Sequence, residues 1–380
     1  MGYNDFFKRE DVYKIIEETL SSHYKCRVKT VSRIHINKHE RKYYCLPRLN
    51  IIFSSRTSKK KLIQFTANNI IGNQKFLKKA SLMIYIYLSI FFPILFSDRL
   101  MVFSNNSVVI DVIYPGNKRI KIINFKEKRI TNVLKKGFNN EWFSNEISFR
   151  TNNTYEFILN IEDVGDDYYT ENLIVGKPLA RMNNRSIKEV TSKVLECLSE
   201  ICAESSRIKI DLYTNDLTNQ LESLRESIEM PFDNINIIIK MVSNYLVFYH
   251  QDEIITISRT HGDFQKGNII VNEYGNIFLL DWETVDIRYT KYDYFVYTFS
   301  LRNSNNLIKN IQEFIESKDS RDNILVDLSL FILEDIKWYY KETKQLLKGN
   351  YSTGLTNYND NRLLQFLRGI YNENETNKSL

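Results

Sequence analysis

Residues 261–268 read His261-Gly262-Asp263-Phe264-Gln265-Lys266-Gly267-Asn268, and residues 279–283 read Leu279-Leu280-Asp281-Trp282-Glu283. Asp263, Asn268 and Asp281 place three oxygen-bearing side chains at a spacing that suits phosphoryl transfer from a nucleotide. Mg²⁺ takes a near-octahedral oxygen shell and keeps several waters, so one or two protein groups plus the nucleotide phosphates complete it. Asn268 and Asp281 are the candidate metal ligands. Asp263, five residues ahead of Asn268, is then available to accept the proton of an attacking hydroxyl. His261, in the same loop, is the second candidate catalytic residue. Ile269-Ile270-Val271 and Ile277-Phe278-Leu279-Leu280 are short apolar runs separated by Asn272-Glu273-Tyr274-Gly275-Asn276, whose Gly and Asn suit the positive φ of a hairpin turn. The pattern predicts a strand, a tight turn and a second strand that delivers Asp281.

This ordered set of residues resembles the aminoglycoside phosphotransferase and choline kinase group of protein-kinase-like small-molecule kinases, whose motif reads H-G-D-x-x-x-x-N followed by D-x-E. The resemblance implies an α+β, two-lobed protein-kinase-like fold with a small antiparallel β lobe and a larger, mainly helical lobe. Further upstream, Ile130-Thr131-Asn132-Val133-Leu134-Lys135 resembles the strand that ends in a phosphate-gripping lysine, and Glu146 the helix glutamate that pairs with it. Lys136 follows Lys135 and would face the other way, because side chains alternate along a strand. Tyr169 to Leu179 resembles the hinge of the group, an extended segment that offers backbone N–H and C=O to an adenine edge, with Glu171 and Leu173 as the candidate contacts. Gly176 and Pro178 end that strand. Asp293, in Tyr292-Asp293-Tyr294-Phe295, resembles an aspartate that braces the catalytic loop from a helix start.

Two departures from the group pattern stand out. A phosphate-covering loop usually needs several glycines so that backbone amides can reach phosphate oxygens, yet Tyr114-Pro115-Gly116-Asn117 offers one. Protein kinases acting on Ser or Thr carry a lysine two residues after the catalytic aspartate, where this chain has Gln265, so a small-molecule acceptor is favoured.

The chain has 380 residues, 43% hydrophobic and 26% charged, long enough for two lobes with their own cores. Its net charge of +6 is mild and its basic residues are spread, which suits solubility and attraction to phosphates rather than a nucleic-acid footprint. The cluster of Arg56 with Lys59-Lys60-Lys61 reads as a solvated loop. Cys26, Cys45, Cys197 and Cys202 form no C-x-x-C pair, and a chain of this size needs no disulfide framework, so a reducing cytoplasm is the simplest setting. His35 and His39 lie four apart without a third ligand at a fixed offset and read as surface residues.

The first hundred residues carry no recognisable chemistry. Asp11 to Leu20 has helical spacing, and Leu49 to Phe53 reads as a strand. Ala80 to Ser97 is uncharged and reaches the lower limit for a membrane span. Its internal tyrosines and Pro93 argue for a buried or subunit-facing helix, with an interfacial membrane contact and then a true span as the alternatives. No secretory signal pattern is read ahead of it. Amphipathic helices are predicted over Ser186 to Glu204, Asp216 to Glu229, Ile237 to His250 and Leu328 to Leu347. In the last of these the aromatics are expected in the core and Glu334 and Asp335 in solvent. Asn372 to Leu380 reads as a frayed tail.

The sequence therefore divides into an N-terminal extension (1–100), a small lobe with hinge (101–176) and a helical large lobe (177–380). The expected function is Mg²⁺-dependent transfer of the γ-phosphate of ATP or GTP to a hydroxyl of a small metabolite: a sugar, amino alcohol, polysaccharide precursor or aminoglycoside. Two other readings fit parts of the pattern. One is a nucleotide-binding regulatory protein without turnover, which the weak glycine loop would suit; the other is a protein kinase.

Overall fold

The computed structural model describes residues 10–32, 41–72, 74–105, 107–228, 233–299, 307–316, 321–345 and 353–378. The His35 and His39 pair lies outside the described residues. The chain forms two compact units, Met1–Val194 with Gly267–Glu283, and Leu195–Lys266 with Thr284–Leu380.

The first unit is built on a nine-stranded antiparallel sheet. Its strands are β1 (Val28–Val31), β2 (Arg41–Leu46), β3 (Ile51–Ser54), β4 (Leu100–Phe103), β5 (Val112–Pro115), β6 (Arg119–Asn124), β7 (Arg129–Leu134), β8 (Ile161–Val164) and β9 (Tyr168–Asn172). Their order is β1-β4-β2-β3-β5-β6-β7-β9-β8. The first hundred residues thus contribute three strands, and the first residue of β4, to the same sheet as the later strands. Strand alternation sorts the core onto two faces. Ile52, Ile113, Ile120 and Ile122 point to one, under α1 (Glu10–Tyr24) with its Ile16 and Leu20. Ile51, Phe53, Val112 and Ile123 point to the other, under α2 (Lys59–Ile70) and α3 (Phe76–Phe91), which supply Leu62, Ile86 and Ile90. Burying each such aliphatic side chain is worth about 1.5–3 kcal/mol, so a one-residue slip of register would reverse both faces at once.

Pro93 begins the short α4 (Pro93–Phe96), and α5 (Glu141–Asn152) follows β7. A second small sheet pairs β10 (Gly176–Pro178) with β13 (Ile269–Asn272) and β13 with β14 (Ile277–Leu279). The β13–β14 hairpin has the predicted turn, with Gly275 at φ +78° and its N–H donating to the Asn272 carbonyl.

The unit boundary falls within α6 (Asn184–Ile201). The second unit has a three-stranded sheet, β11 (Ser205–Lys209), β12 (Ile254–Thr260) and β15 (Asp286–Tyr289), and the helices α7 (Ile210–Glu226), α8 (Asp233–His250), α9 (Tyr292–Phe299), α10 (Leu307–Glu316), α11 (Arg321–Gln345), α12 (Thr353–Tyr358) and α13 (Asn361–Lys378). Two expectations are corrected here. The C-terminal stretch read as a frayed tail continues α13 to Lys378. Glu334 and Asp335, expected in solvent, are buried, because α11 is the central helix and is covered nearly all round. The Tyr213 hydroxyl donates to Glu334, and the Tyr358 and Tyr292 hydroxyls donate to Asp335 at 2.9 and 3.3 Å. Carboxylates at such depth persist only with partners of this kind. The same arrangement leaves no open acid-and-aromatic cation site on this helix.

Candidate active site

The catalytic-motif loop belongs to the second unit as far as Lys266 and is fixed chiefly through its backbone. Gly262 sits at φ +80°, and a β-carbon there would lie 2.3 Å from the Thr284 carbonyl oxygen, so only glycine fits. Asp293, in the first turn of α9, accepts the N–H groups of His261 at 2.5 Å and Gly262 at 2.9 Å. Burial pushes its carboxyl upward; the neighbouring His261, Arg288 and these two N–H groups pull it back. Arg288 closes the turn from below by donating to Thr260 Oγ1 and to the Thr284 carbonyl. His261 is fully buried, and its Nδ1 accepts the Asp263 N–H at 3.2 Å, which leaves the ring proton on Nε2 when the ring is neutral. The His261 ring is thereby held against the backbone of the candidate base. Asp263 is half-exposed, and Gln265 donates its side-chain amide to Asp263 Oδ2 at 3.2 Å. The residue that departs from the protein-kinase pattern therefore orients the candidate base.

Asn268 and Asp281 lie in the first unit, on the wall of a cavity of about 440 Å³. Glu171, Asn172, Leu173, Ile174 and Val175 line it as well, with Ile123, Ile130, Ile270 and Leu280 as apolar walls. The proposed hinge and both proposed metal ligands thus share one cavity. The Leu173 N–H is already engaged, donating to the Lys128 carbonyl at 2.7 Å. The Glu171 carboxylate is likewise engaged, accepting from Asn132 at 2.8 Å and Arg150 at 2.6 Å. Asp281 has φ +62°, a left-handed backbone that is uncommon outside glycine and is a frequent companion of functional sites.

Lys135 and Glu146 do not form the expected pair at this wall. Lys135 is buried just past β7, and its ammonium donates to the Asn117 carbonyl at 3.0 Å, tying down the turn between β5 and β6. Burial lowers its pKa to about 7. Lys136 is exposed. The Glu146 carboxylate is held by Arg119, from the start of β6, and by Arg150 at 3.0 Å. Burial alone would raise the Glu146 pKa, but the two guanidiniums outweigh it and bring the value to about 2. Arg119 also ion-pairs with Asp281 Oδ1.

Lys121, on β6, does line the cavity, as do Lys61 and Lys128. Register explains the exchange. Lys121 pairs across the ladder with Asn132 on β7, and Ile123 pairs with Ile130, so these four share one sheet face. Lys135 lies three residues beyond Asn132, past the end of the strand and off this face. Among the described residues Lys121 has no hydrogen-bond or ion-pair partner; burial, with Arg119 nearby, lowers its pKa to about 8, opposed by Glu171 and Glu146. Sequence reasoning missed it because the apolar run ending in lysine was sought on one strand, while the cavity is faced by two. A second omission concerns α2, from the stretch thought to carry no chemistry. Lys61, Gln64, Phe65 and Asn68 of this helix form one wall of the cavity, and Asn68 donates to the Gly176 carbonyl at 3.4 Å.

Among the described residues no group of three or more His, Cys, Asp or Glu side chains could hold a metal. Magnesium requires no such cage, and a carboxylate and an amide oxygen on one cavity wall fit its hard-oxygen preference.

No family model matches the chain, and no curated protein matches it in sequence. Solved structures show a partial likeness. A choline kinase from Streptococcus pneumoniae has 17% identity over 67% of this chain and 90% of its own, with TM-score 0.46. An ethanolamine kinase from Plasmodium vivax has 15% identity over 83% and 96%, with TM-score 0.46. An ADP-bound aminoglycoside phosphotransferase has 13% identity over 70% and 96%, with TM-score 0.45. They belong to the group that the catalytic motif resembles.

Proposed function

We propose that this chain is a phosphotransferase that moves the γ-phosphate of ATP or GTP to a hydroxyl of a small metabolite. The observation that carries this reading is the single cavity lined by a hinge-like strand end, two hard-oxygen donors and an unpartnered lysine. The apolar side chains Ile123, Ile130, Ile270 and Leu280 suit a planar base. With the Leu173 amide engaged, the N–H groups of Ile174 and Val175 are the candidates for its polar edge. Lys121 would meet the phosphates. It is an ammonium made costly by burial, a cost that Glu171 and Glu146 offset only in part, so a phosphate oxygen restores what desolvation removed.

Asn268 and Asp281 Oδ2 would hold Mg²⁺, which supplies charge neutralisation at the phosphates when bound. Arg119 fixes Asp281 by its other oxygen and links it to the buried Glu146. In the motif loop, Asp263 accepts the proton of the attacking hydroxyl, Gln265 keeps its carboxylate oriented, and His261, Gly262 and Asp293 hold the turn. Such positioning of a base and an acceptor is the main lever in phosphoryl transfer, which asks for little covalent chemistry from the protein.

The test is nucleotide consumption with a panel of hydroxylated metabolites, with and without a chelator for divalent ions. Chelator-sensitive transfer to at least one acceptor is the expected result. A second reading draws on the Arg119–Asp281 ion pair, which engages one oxygen of the metal-ligand carboxylate: a regulatory protein that binds nucleotide without turnover. Tight nucleotide binding with no transfer to any acceptor would favour it.

A further inference from the structure

We propose that the outer face of α3 and α4 docks on an anionic lipid surface, with the two helices lying in the headgroup region. The face combines unusual exposure with a one-sided charge. Phe76 is 80% exposed, Leu77 81% and Leu95 73%, and Ile84, Phe92 and Ile94 are exposed beside them. Soluble surfaces rarely gather large apolar side chains this densely, and such patches mark interaction sites. The opposite side of α3 is anchored in the core through Ile86, Ser89 and Ile90, so the apolar face is presented by a fixed helix.

The charge argument identifies the occupant. From Arg41 to Ser97 the sequence contains ten Lys or Arg and no Asp or Glu, whereas the whole chain has a net charge of +6. The cationic excess is therefore concentrated in this segment, and the rest of the chain is net acidic. Lys75 and Lys78 are exposed on α3 itself, and the Lys59 ammonium of α2 sits 4.5 Å from the centre of the Phe91 ring. Basic groups therefore border the apolar residues in space as well as in sequence. A two-fold contact between copies would lay this patch on itself, cation against cation, with no carboxylate in the segment to neutralise either side. Anionic headgroups supply the missing charge, and the acyl boundary receives the apolar side chains.

Span length excludes a crossing by these helices. α3 has 16 residues and Pro93 follows it directly, and among the described residues no helix is long and apolar enough to cross a membrane. An amphipathic segment lying in the interface fits both the length and the exposed aromatics, which favour the headgroup level. Of the sequence expectation of a buried or subunit-facing helix, full burial does not hold, because half of α3 and half of α4 are exposed; a subunit-facing helix is an outcome the test distinguishes.

The test is co-sedimentation of the full chain with phosphatidylcholine vesicles, with and without a third of the lipid replaced by phosphatidylglycerol. Binding to the anionic vesicles that weakens with added salt, and little binding to the neutral ones, is expected. Leu77→Asp with Leu95→Asp should lower the partition about ten-fold or more, and Lys75→Glu with Lys78→Glu about five-fold for each basic charge removed. All four positions are exposed, so the thermal unfolding midpoint should not move. The proposal is overturned if the parent chain ignores anionic vesicles at low salt or if both variants partition as it does. A concentration-dependent dimer that Leu95→Asp dissolves, without vesicle binding, would assign the face to a second copy instead.

Discussion

The turn from Thr260 to Gln265 and the β6–β7 hairpin both carry residues that the proposed phosphoryl transfer would use, but their positions are fixed by different constraints. In the turn, the backbone decides. Gly262 must be glycine because a β-carbon would strike Thr284, and Asp293 must accept two specific N–H groups. Residue types at fixed offsets follow from that geometry. In the hairpin, the requirement is only that some cation stand on the cavity face of the sheet, and two adjacent strands can both supply it. Lys121 meets it from β6 while Asn132 occupies the facing site on β7. A constraint on the backbone leaves a motif in the sequence, whereas a constraint on a surface leaves only a composition.

The largest test of this contrast is at the turn. Asp263→Asn should reduce turnover by about 10² to 10⁴, the range for loss of a general base. Nucleotide affinity should be nearly unchanged in a binding titration, because the base touches no phosphate. Parent-level turnover would remove Asp263 from the chemistry.

Stability should register the buried network behind the hairpin. Glu146→Gln leaves Arg119 and Arg150 short of their shared carboxylate and should cost about 3–5 kcal/mol in chemical denaturation, as breaking one side of a buried ion pair does. Because the folded Glu146 pKa is about 2 against an ordinary 4.5, its contribution is present above pH 4.5 and is lost as pH falls from there toward 2. A parent chain and Glu146→Gln that lose stability in parallel over that range would contradict the assignment.

The hairpin cations are next in size. Lys121→Ala should lower kcat/KM by roughly 10² through lost positioning of the phosphates. Lys135→Ala, which frees the Asn117 carbonyl and its turn, should cost less, and Lys136→Ala should be nearly silent. A severe Lys135→Ala with a silent Lys121→Ala would return the cation to β7 and undo the contrast.

The smallest effect is on pH. Lys121 has a pKa of about 8, below an ordinary lysine, so the free protein carries the phosphate-binding charge below pH 8 and loses it above. Nucleotide affinity should therefore decline about ten-fold per unit as pH rises past 8. The sign for folding is opposite: the buried charge opposes folding at lower pH, and that penalty disappears as pH climbs from 8 toward 10.5. Lys121→Arg should flatten the affinity profile, since a guanidinium stays charged over this range.

The H-G-D-x-x-x-x-N and D-x-E pattern, the β13–β14 hairpin and Asp293 were all readable from the chain. Each depends on a turn or a helix start whose residue types local backbone geometry prescribes. The ordering of α7, α8 and α11 as long helices was readable too, from apolar periodicity. The burial of Glu334 and Asp335 was not, because a helix pattern does not tell how many neighbours will surround it. α2 offered no signal either. Gln64, Phe65 and Asn68 are ordinary helical residues, and only the packing of α2 over the sheet gives them a cavity to line.

What the sequence determined by itself is the local structure of the loop, since short-range geometry admits few residue types at each position. Tertiary structure decided which β6 cation faces the cavity, which arginine holds Asp281 and Glu146, and which face of α3 stays uncovered. Those outcomes depend on strand register and helix packing between segments far apart in the chain, where many residue combinations satisfy the same physical need.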